Sequence, residues 1–266
     1  MLKFFFKKNF ADGWDNLFFL LVSNVIIIAL LAGAGALISL AGSINLLAVL
    51  GAAVLSAGVL MAVVFAWGAN ARKIADFNAP SFALFFRSLK ESWRTGFLFG
   101  LLVGAFCVVV TVAVRYYLQM AFSGHAIGVF FVMLIYLFAL VCVMAMQWFI
   151  PLYFLQEQNT FRKCFKKAFI IFFDNTAFSF AMLCYNLLLF FLSFFLFFLL
   201  PGVNGITLSC TNALRLRLYK YDWLEEHPDY VNDRDKRADV PWDELLADDK
   251  ESLGPRKLTS FLFPWK

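Results

Sequence analysis

Of the 266 residues, 62% are hydrophobic and only 15% charged, whereas about a quarter of the residues in soluble domains are charged. The net charge of +5 is small for this length, and nothing in the chain points to nucleic acid as a partner. Two histidines far apart and five cysteines without CxxC spacing (Cys107, Cys142, Cys164, Cys184, Cys210) exclude a zinc cluster, and the cysteines read as small apolar filler.

The apolar residues lie in uninterrupted runs rather than alternating ones. A run of about 20 residues crosses a hydrocarbon core of about 30 Å as a helix, and lipid leaves a bare backbone no other choice but a closed barrel. The expected class is therefore an all-α polytopic membrane protein. Its expected spans are 17–41, 45–68, 96–118, 127–150, 175–198 and 202–218. Lys3, Lys7 and Lys8 precede the first run as they would in a signal peptide, but that run is too long for one and reads as a retained span. The sixth run is short and polar, carrying Asn204, Thr207, Ser209, Thr211, Asn212 and Arg215; a re-entrant half-helix is its alternative reading.

Orientation follows from the basic residues. They gather in 1–16, in 69–95 (Arg72, Lys73, Arg87, Lys90, Arg94) and in 156–174 (Arg162, Lys163, Lys166, Lys167), while 42–44 has no charge. The positive-inside rule puts the three basic segments in the cytoplasm. Arg215, Arg217 and Lys220 at the end of the last run put the tail there too. This gives six spans with both termini cytoplasmic, in a bacterial inner membrane.

An internal repeat organises the spans as three hairpins. Phe6, Phe10 and Trp14 are spaced four apart, as are Phe85, Leu89 and Trp93, and Phe165, Phe169 and Phe173. Trp93 follows Trp14 by 79 residues, and Phe173 follows Trp93 by 80. Phe6-Lys7-Lys8 aligns with Phe165-Lys166-Lys167, and Asp15-Asn16 with Asp174-Asn175. Each unit reads as a basic amphipathic helix followed by a polar cap and a hairpin. The four-residue spacing places the aromatics on one face in the lipid interface, with Lys and Arg turned toward anionic headgroups.

Gly96, Gly100 and Gly104 form a double GxxxG on the third span, a flat stripe for close approach of another helix. Asn24, Asn45, Gln147, Asn186, Asn204 and Asn212 read as interhelical hydrogen-bond formers, with the lining of a cavity as the alternative. Asn204, Thr207, Thr211 and Arg215 follow helical spacing and form the candidate polar face of the sixth segment. No Asp, Glu, Lys or Arg falls centrally in the first five spans, which argues against an ion-coupled transporter. No phosphate-binding loop, GxSxG, HExxH or paired catalytic carboxylates occur, so neither an enzyme nor a cofactor is expected; Gly33 and Gly35 lie within a span.

Two domains are expected: a membrane domain over 1–218 and a charged cytoplasmic tail over 219–266. The tail holds eight Lys or Arg against twelve Asp or Glu. Its final apolar residues Phe261, Leu262, Phe263 and Trp265 are expected to dock on a groove of the protein itself or of a membrane-protein partner, with the membrane interface as the alternative.

Three stretches carry a family resemblance. Leu55-Ser56-Ala57-Gly58-Val59-Leu60-Met61-Ala62 resembles the small-residue second span of the YesL-like family of bacterial integral membrane proteins. The stretch FALFFRSLKESWRTG from Phe82 to Gly96 resembles that family's Phe- and Lys-rich segment before the third span, and 161–173 resembles a second such segment. The tail departs from the family pattern. The resemblance implies a transport-associated accessory role beside carbohydrate uptake systems. A non-enzymatic accessory or scaffold protein is the preferred expectation; a facilitator or channel for a neutral small solute, using the polar sixth segment, is the alternative.

Overall fold

The computed structural model describes residues 1–157, 159–230 and 240–255, and the described residues contain helices and no strand. In chain order the helices are α1 (Leu2–Asp15), α2 (Leu17–Gly42), α3 (Leu46–Ala75), α4 (Phe82–Phe122), α5 (Ala126–Met146), α6 (Phe149–Leu155), α7 (Phe161–Asp174), α8 (Thr176–Phe195), α9 (Gly202–Glu226), α10 (Trp242–Leu245) and α11 (Ala247–Leu253). Five stretches are long and apolar enough to cross a membrane: α2, α3, α4, α5 together with α6, and α8. The chain is thus a multi-pass helical membrane protein in kind. Its outward faces agree, since Leu40, Val109, Phe130, Leu188 and Phe195 are exposed on these helices, as lipid-facing residues should be.

The first and third repeat units share one junction. Asn16 ends α1 and starts α2, and its Nδ2 donates to the Asp12 carbonyl at 2.9 Å. Asn175 ends α7 and starts α8, and its Nδ2 donates to the Ile171 carbonyl at 3.3 Å. In each case the amide side chain takes a carbonyl four residues back, at a helix end where carbonyls lack an intrahelical donor. The second unit has Thr95 at the equivalent place and no break: α4 runs unbroken from Phe82, capped by the Ser81 hydroxyl accepting from the Leu84 N–H at 3.1 Å. At 1.5 Å per residue, α4 is about 60 Å long, about twice a hydrocarbon core. Its first turns are therefore an extension of a span, not the separate interfacial helix expected from the sequence.

The aromatic triplets also differ from one another. Phe6, Phe10 and Trp14 all face outward, whereas Phe85 is buried, Leu89 half-buried and Trp93 exposed; Phe165 and Phe169 are half-buried and Phe173 exposed. Lys8, expected to face headgroups, is instead turned into the protein and 1% exposed.

The Gly96, Gly100 and Gly104 stripe packs inside the chain, against α3. A Cβ at Gly96 would lie 2.7 Å from Phe65 Cβ and 2.9 Å from Ala62 Cα; one at Gly104 would lie 2.9 Å from Ala57 Cβ. A Cβ at Gly100 would run into the Ala57 carbonyl and lie 2.7 Å from Gly58 Cα. Two backbones meet there with no room for a methyl group, and dispersion over that contact holds the α3–α4 pair.

Helix α9 is the buried centre, enclosed by α1, α2, α3, α6 and α8. From Asn204 to Leu216 only Ile206 and Arg215 are not buried. The helix continues to Glu226, so the expected domain boundary after residue 218 falls inside one helix. The acidic stretch of the tail folds into α10 and α11 and docks on the bundle, burying Val240, Leu246, Asp249 and Leu253. The expected docking residues Phe261, Leu262, Phe263 and Trp265 lie outside the described residues.

Candidate functional site

At the end of the bundle where α1, α9 and α11 meet, two groups of charged side chains, buried or half-buried, lie on either side of Phe77. Helix α1 places Lys8 and Asp12 one turn apart on its inner face, paired at 3.0 Å with side-chain exposures of 1% and 8%. Asn212 on α9 donates to Asp12 Oδ2 at 2.9 Å and to Asn9 Oδ1 at 3.2 Å. Asn9 Nδ2 in turn donates to the Tyr185 hydroxyl on α8 at 3.0 Å. Burial lowers the Lys8 ammonium and raises the Asp12 carboxyl, the attraction between the two opposing both shifts.

One turn further along α9, Arg215 joins three elements. Its Nε donates to Asp76 Oδ1 at 2.9 Å, beyond the end of α3, and its two terminal nitrogens donate to Asp249 on α11 at 2.6 and 3.1 Å. This fork-on-fork geometry suits a guanidinium and a carboxylate. The Tyr219 hydroxyl donates to Asp249 as well, at 3.3 Å, and burial pushes that phenol up to about 12.

Phe77 closes the cluster from the α3 side. Its N–H donates to the Ile74 carbonyl at 3.0 Å, and that of Asn78 to the Lys73 carbonyl at 2.8 Å. This is the paired bonding of a helix end whose next residue is left-handed. Glycine normally fills that position, but here Phe77 does so with φ of 57°. The Lys8 ammonium lies 3.4 Å from the Phe77 ring centroid and the Arg215 guanidinium 5.9 Å from it. A ring in contact with the buried Lys8 ammonium and within reach of the half-buried Arg215 guanidinium accounts for a phenylalanine in a conformation that disfavours it. Beside the cluster, Asp12, Asp15, Asn16, Phe77, Ser252 and Leu253 help to line a polar cavity of about 280 Å³, walled on one side by α11.

The candidate polar face of α9 is thus brought into the protein and, apart from the Asn204 side chain, whose Oδ1 is buried without a partner, shared out. Asn204 accepts the Trp67 indole N–H at its carbonyl, at 3.2 Å, and donates its own N–H to Asn24 Oδ1 at 3.2 Å. Thr207 and Thr211 donate back to the carbonyls of Val203 and Thr207 at 3.0 and 2.8 Å. Arg215 holds the two carboxylates. Asn24, expected to bond between helices, organises the whole α8–α9 turn: its Nδ2 donates to the carbonyls of Leu199 and Pro201 at 3.0 and 2.8 Å. Gly202 in that turn has φ of 64° and rests on the Asn24 side chain, with no room for a Cβ.

Sequence reasoning missed Lys8, Asp12, Asp76, Asp249 and Phe77. The inward side of α1 carried a signal, since Phe5, Lys8, Asn9 and Asp12 share helical spacing and so do Leu246, Asp249 and Leu253. Among the described residues no group of three His, Cys, Asp or Glu is placed to hold a metal ion. No family model, curated protein or solved structure matches the chain.

Proposed function

We propose that the chain is a non-enzymatic accessory or scaffold protein of a bacterial-type inner membrane, associated with transport, and that its α1 and α11 face the cytoplasm. The observation that carries this reading is the use made of α9. A solute path needs polar groups left available along a continuous stripe, whereas on α9 the Ser209, Asn212 and Arg215 side chains bond to α8, α1 and α11 and those of Thr207 and Thr211 to their own backbone, leaving Asn204 Oδ1, Asn212 Oδ1 and Arg217 Nε as separate buried atoms without a partner. The result is a rigid platform at one end of the bundle, and rigid surfaces recognise partners at low entropic cost. The basic segments support a cytoplasmic position for that platform. The resemblance to YesL-like proteins supports an association with uptake systems.

The α8–α9 pair supplies the third hairpin of this reading. Its turn meets α2 at Asn24, about two helical turns beyond Leu17. The pair is shorter on that side than the other two hairpins, and it returns the chain to its starting side whether α9 crosses fully or re-enters.

The experiment is reconstitution of the full chain in liposomes with a panel of neutral sugars and polyols. The scaffold reading predicts swelling rates equal to protein-free liposomes. In membranes, it predicts a defined crosslinked partner that is lost from the Asp249→Asn variant. Solute-selective swelling would establish the facilitator instead.

A further inference from the structure

A second cavity lies within the spans, far from the charged network in chemistry. It measures about 550 Å³ and runs between the α4–α5 pair and the α8–α9 pair. That is within the range of about 300–1,000 Å³ that holds small ligands. Leu102 and Phe138 at its rim are exposed, while Phe99, Thr207 and Cys210 deeper in are buried. Helix α9 presents Val203, Ile206, Thr207 and Cys210 to it, a single face by spacing.

The polar atoms of its wall are already bonded. Asn186 Nδ2 donates to Cys210 Sγ at 3.1 Å, the Ser209 hydroxyl donates to Asn186 Oδ1 at 2.9 Å, and Gln147 Nε2 donates to the Ser179 carbonyl at 2.9 Å. Among the described residues, none of the buried polar side-chain atoms left without a partner belongs to the lining. A hydroxylated solute would find no hydrogen bonds to replace those of water, whereas hydrocarbon needs none. An apolar space opening at a lipid-facing surface is filled from the lipid, since a void forfeits dispersion contact on every wall.

Helix α7 supplies a charge at the same opening. Phe165 and Phe169 line the cavity. Arg162, Phe165, Lys166 and Phe169 stand at i, i+3, i+4 and i+7 and so share one face. Arg162 and Lys166 are exposed, and among the described residues neither has a carboxylate partner. Further along the same helix the exposed residues are Ile170 and Phe173, before Asp174 at its end. This passage from cationic to apolar along one helix places the opening where headgroup gives way to chain.

We propose that this cavity is a binding site for one anionic phospholipid, an acyl chain lying against α9 and the phosphate held by Arg162 and Lys166. The test uses the full chain reconstituted in phosphatidylcholine vesicles. Phosphatidylglycerol carrying a diazirine on one acyl chain is the probe, and the matching phosphatidylcholine is the control. Adducts are mapped by mass spectrometry. The site predicts adducts at Val203 and Ile206 on the enclosed helix α9, where lipid merely surrounding the protein does not reach. Filling the cavity with Cys142→Trp abolishes those adducts, and Cys142→Ser keeps them. Arg162→Gln and Lys166→Gln each lower labelling by phosphatidylglycerol about fivefold and leave the control unchanged. Should Cys142→Trp fail to fold, competition by unlabelled phosphatidylglycerol against the probe on the unaltered chain decides the same point. Adducts confined to outward residues such as Phe191 and Phe194 would overturn the site. Equal labelling of α9 by both probes would overturn the headgroup assignment.

Discussion

Phe77 is the position where local strain and a long-range contact can be separated by substitution. A side chain in the left-handed region costs about 1–2 kcal/mol, and glycine escapes that cost. Phe77→Ala loses the ring over Lys8 and keeps the strain; Phe77→Gly loses the ring and relieves it. Thermal unfolding in detergent should therefore rank Phe77→Gly above Phe77→Ala by about 1 kcal/mol. Equal stability would mean that the turn relaxes without the ring. Asp12 gives a pH signature. Burial raises its folded-state value above the ordinary 3.8, so between the two the folded protein holds the proton more firmly than the unfolded chain. Over that window this residue makes stability fall as pH rises, with no contribution to the slope on either side. Asp12→Asn should remove that part of the slope, read by comparing melting temperature against pH for the two proteins. A parallel pair of curves would show that Asp12 titrates alike in both states. At Arg215 the two carboxylates make the substitutions unequal. Asp249→Asn leaves Asp76 on the guanidinium and frees α11, so faster proteolysis within 240–255 is expected with little change in global melting. Arg215→Met leaves Asp249, only 6% exposed, without its cation, while Asp76 keeps Arg72 at 3.7 Å. A cost of about 3–5 kcal/mol is expected for such an orphaned buried charge, lowered by whatever solvent reaches it when α11 lifts.

At the scale of elements, the glycines divide into those with a neighbour and those without. Gly100 faces the α3 backbone, so Gly100→Val should separate α3 from α4 at a cost of about 1–3 kcal/mol or more. Gly33 and Gly35 have open space where a Cβ would lie, so Gly33→Val should be nearly neutral. The comparison is read as detergent-resistant monomer on gel filtration, and equal loss in both variants would contradict the internal role of the stripe. These elements also show what the sequence could reveal. Apolar runs marked α2, α3, α5 and α8 because continuous hydrophobicity reports a lipid environment directly. The matched Asp15-Asn16 and Asp174-Asn175 marked two helix junctions because a side-chain amide at a helix end has a local job. The missing junction in the second unit was equally visible, in Thr95 followed by Gly96, but its consequence depends on α3 being there to receive an uninterrupted α4. The inward turn of Lys8 was hidden for a similar reason: a lysine on an amphipathic helix signals solvent or headgroups unless a buried carboxylate and a ring await it. Asp12 stands one turn along the same helix, but the ring of Phe77 comes from the end of α3. Asp249 belongs to a stretch whose charge reads as solvated until α9 supplies Arg215.

At the scale of the molecule, one arrangement underlies the rest: α1 and the α10–α11 segment close on the same end of a helical bundle around a buried α9. Lys7 Nζ on α1 donates to the Gly254 carbonyl beyond α11 at 3.2 Å, and Arg215 holds Asp249 beside Asp76. In the proposed three-hairpin topology these contacts follow, because an even number of crossings brings the chain back to its starting side. The same-side arrangement is tested most directly by labelling single cysteines with a membrane-impermeant maleimide, in intact cells and in inverted vesicles, after the five native cysteines are replaced by alanine. Lys3→Cys on α1 and Glu251→Cys on α11 should react only in inverted vesicles, and Ser123→Cys between α4 and α5 only in intact cells. Reaction of Lys3→Cys and Glu251→Cys from opposite sides of the membrane would contradict the account.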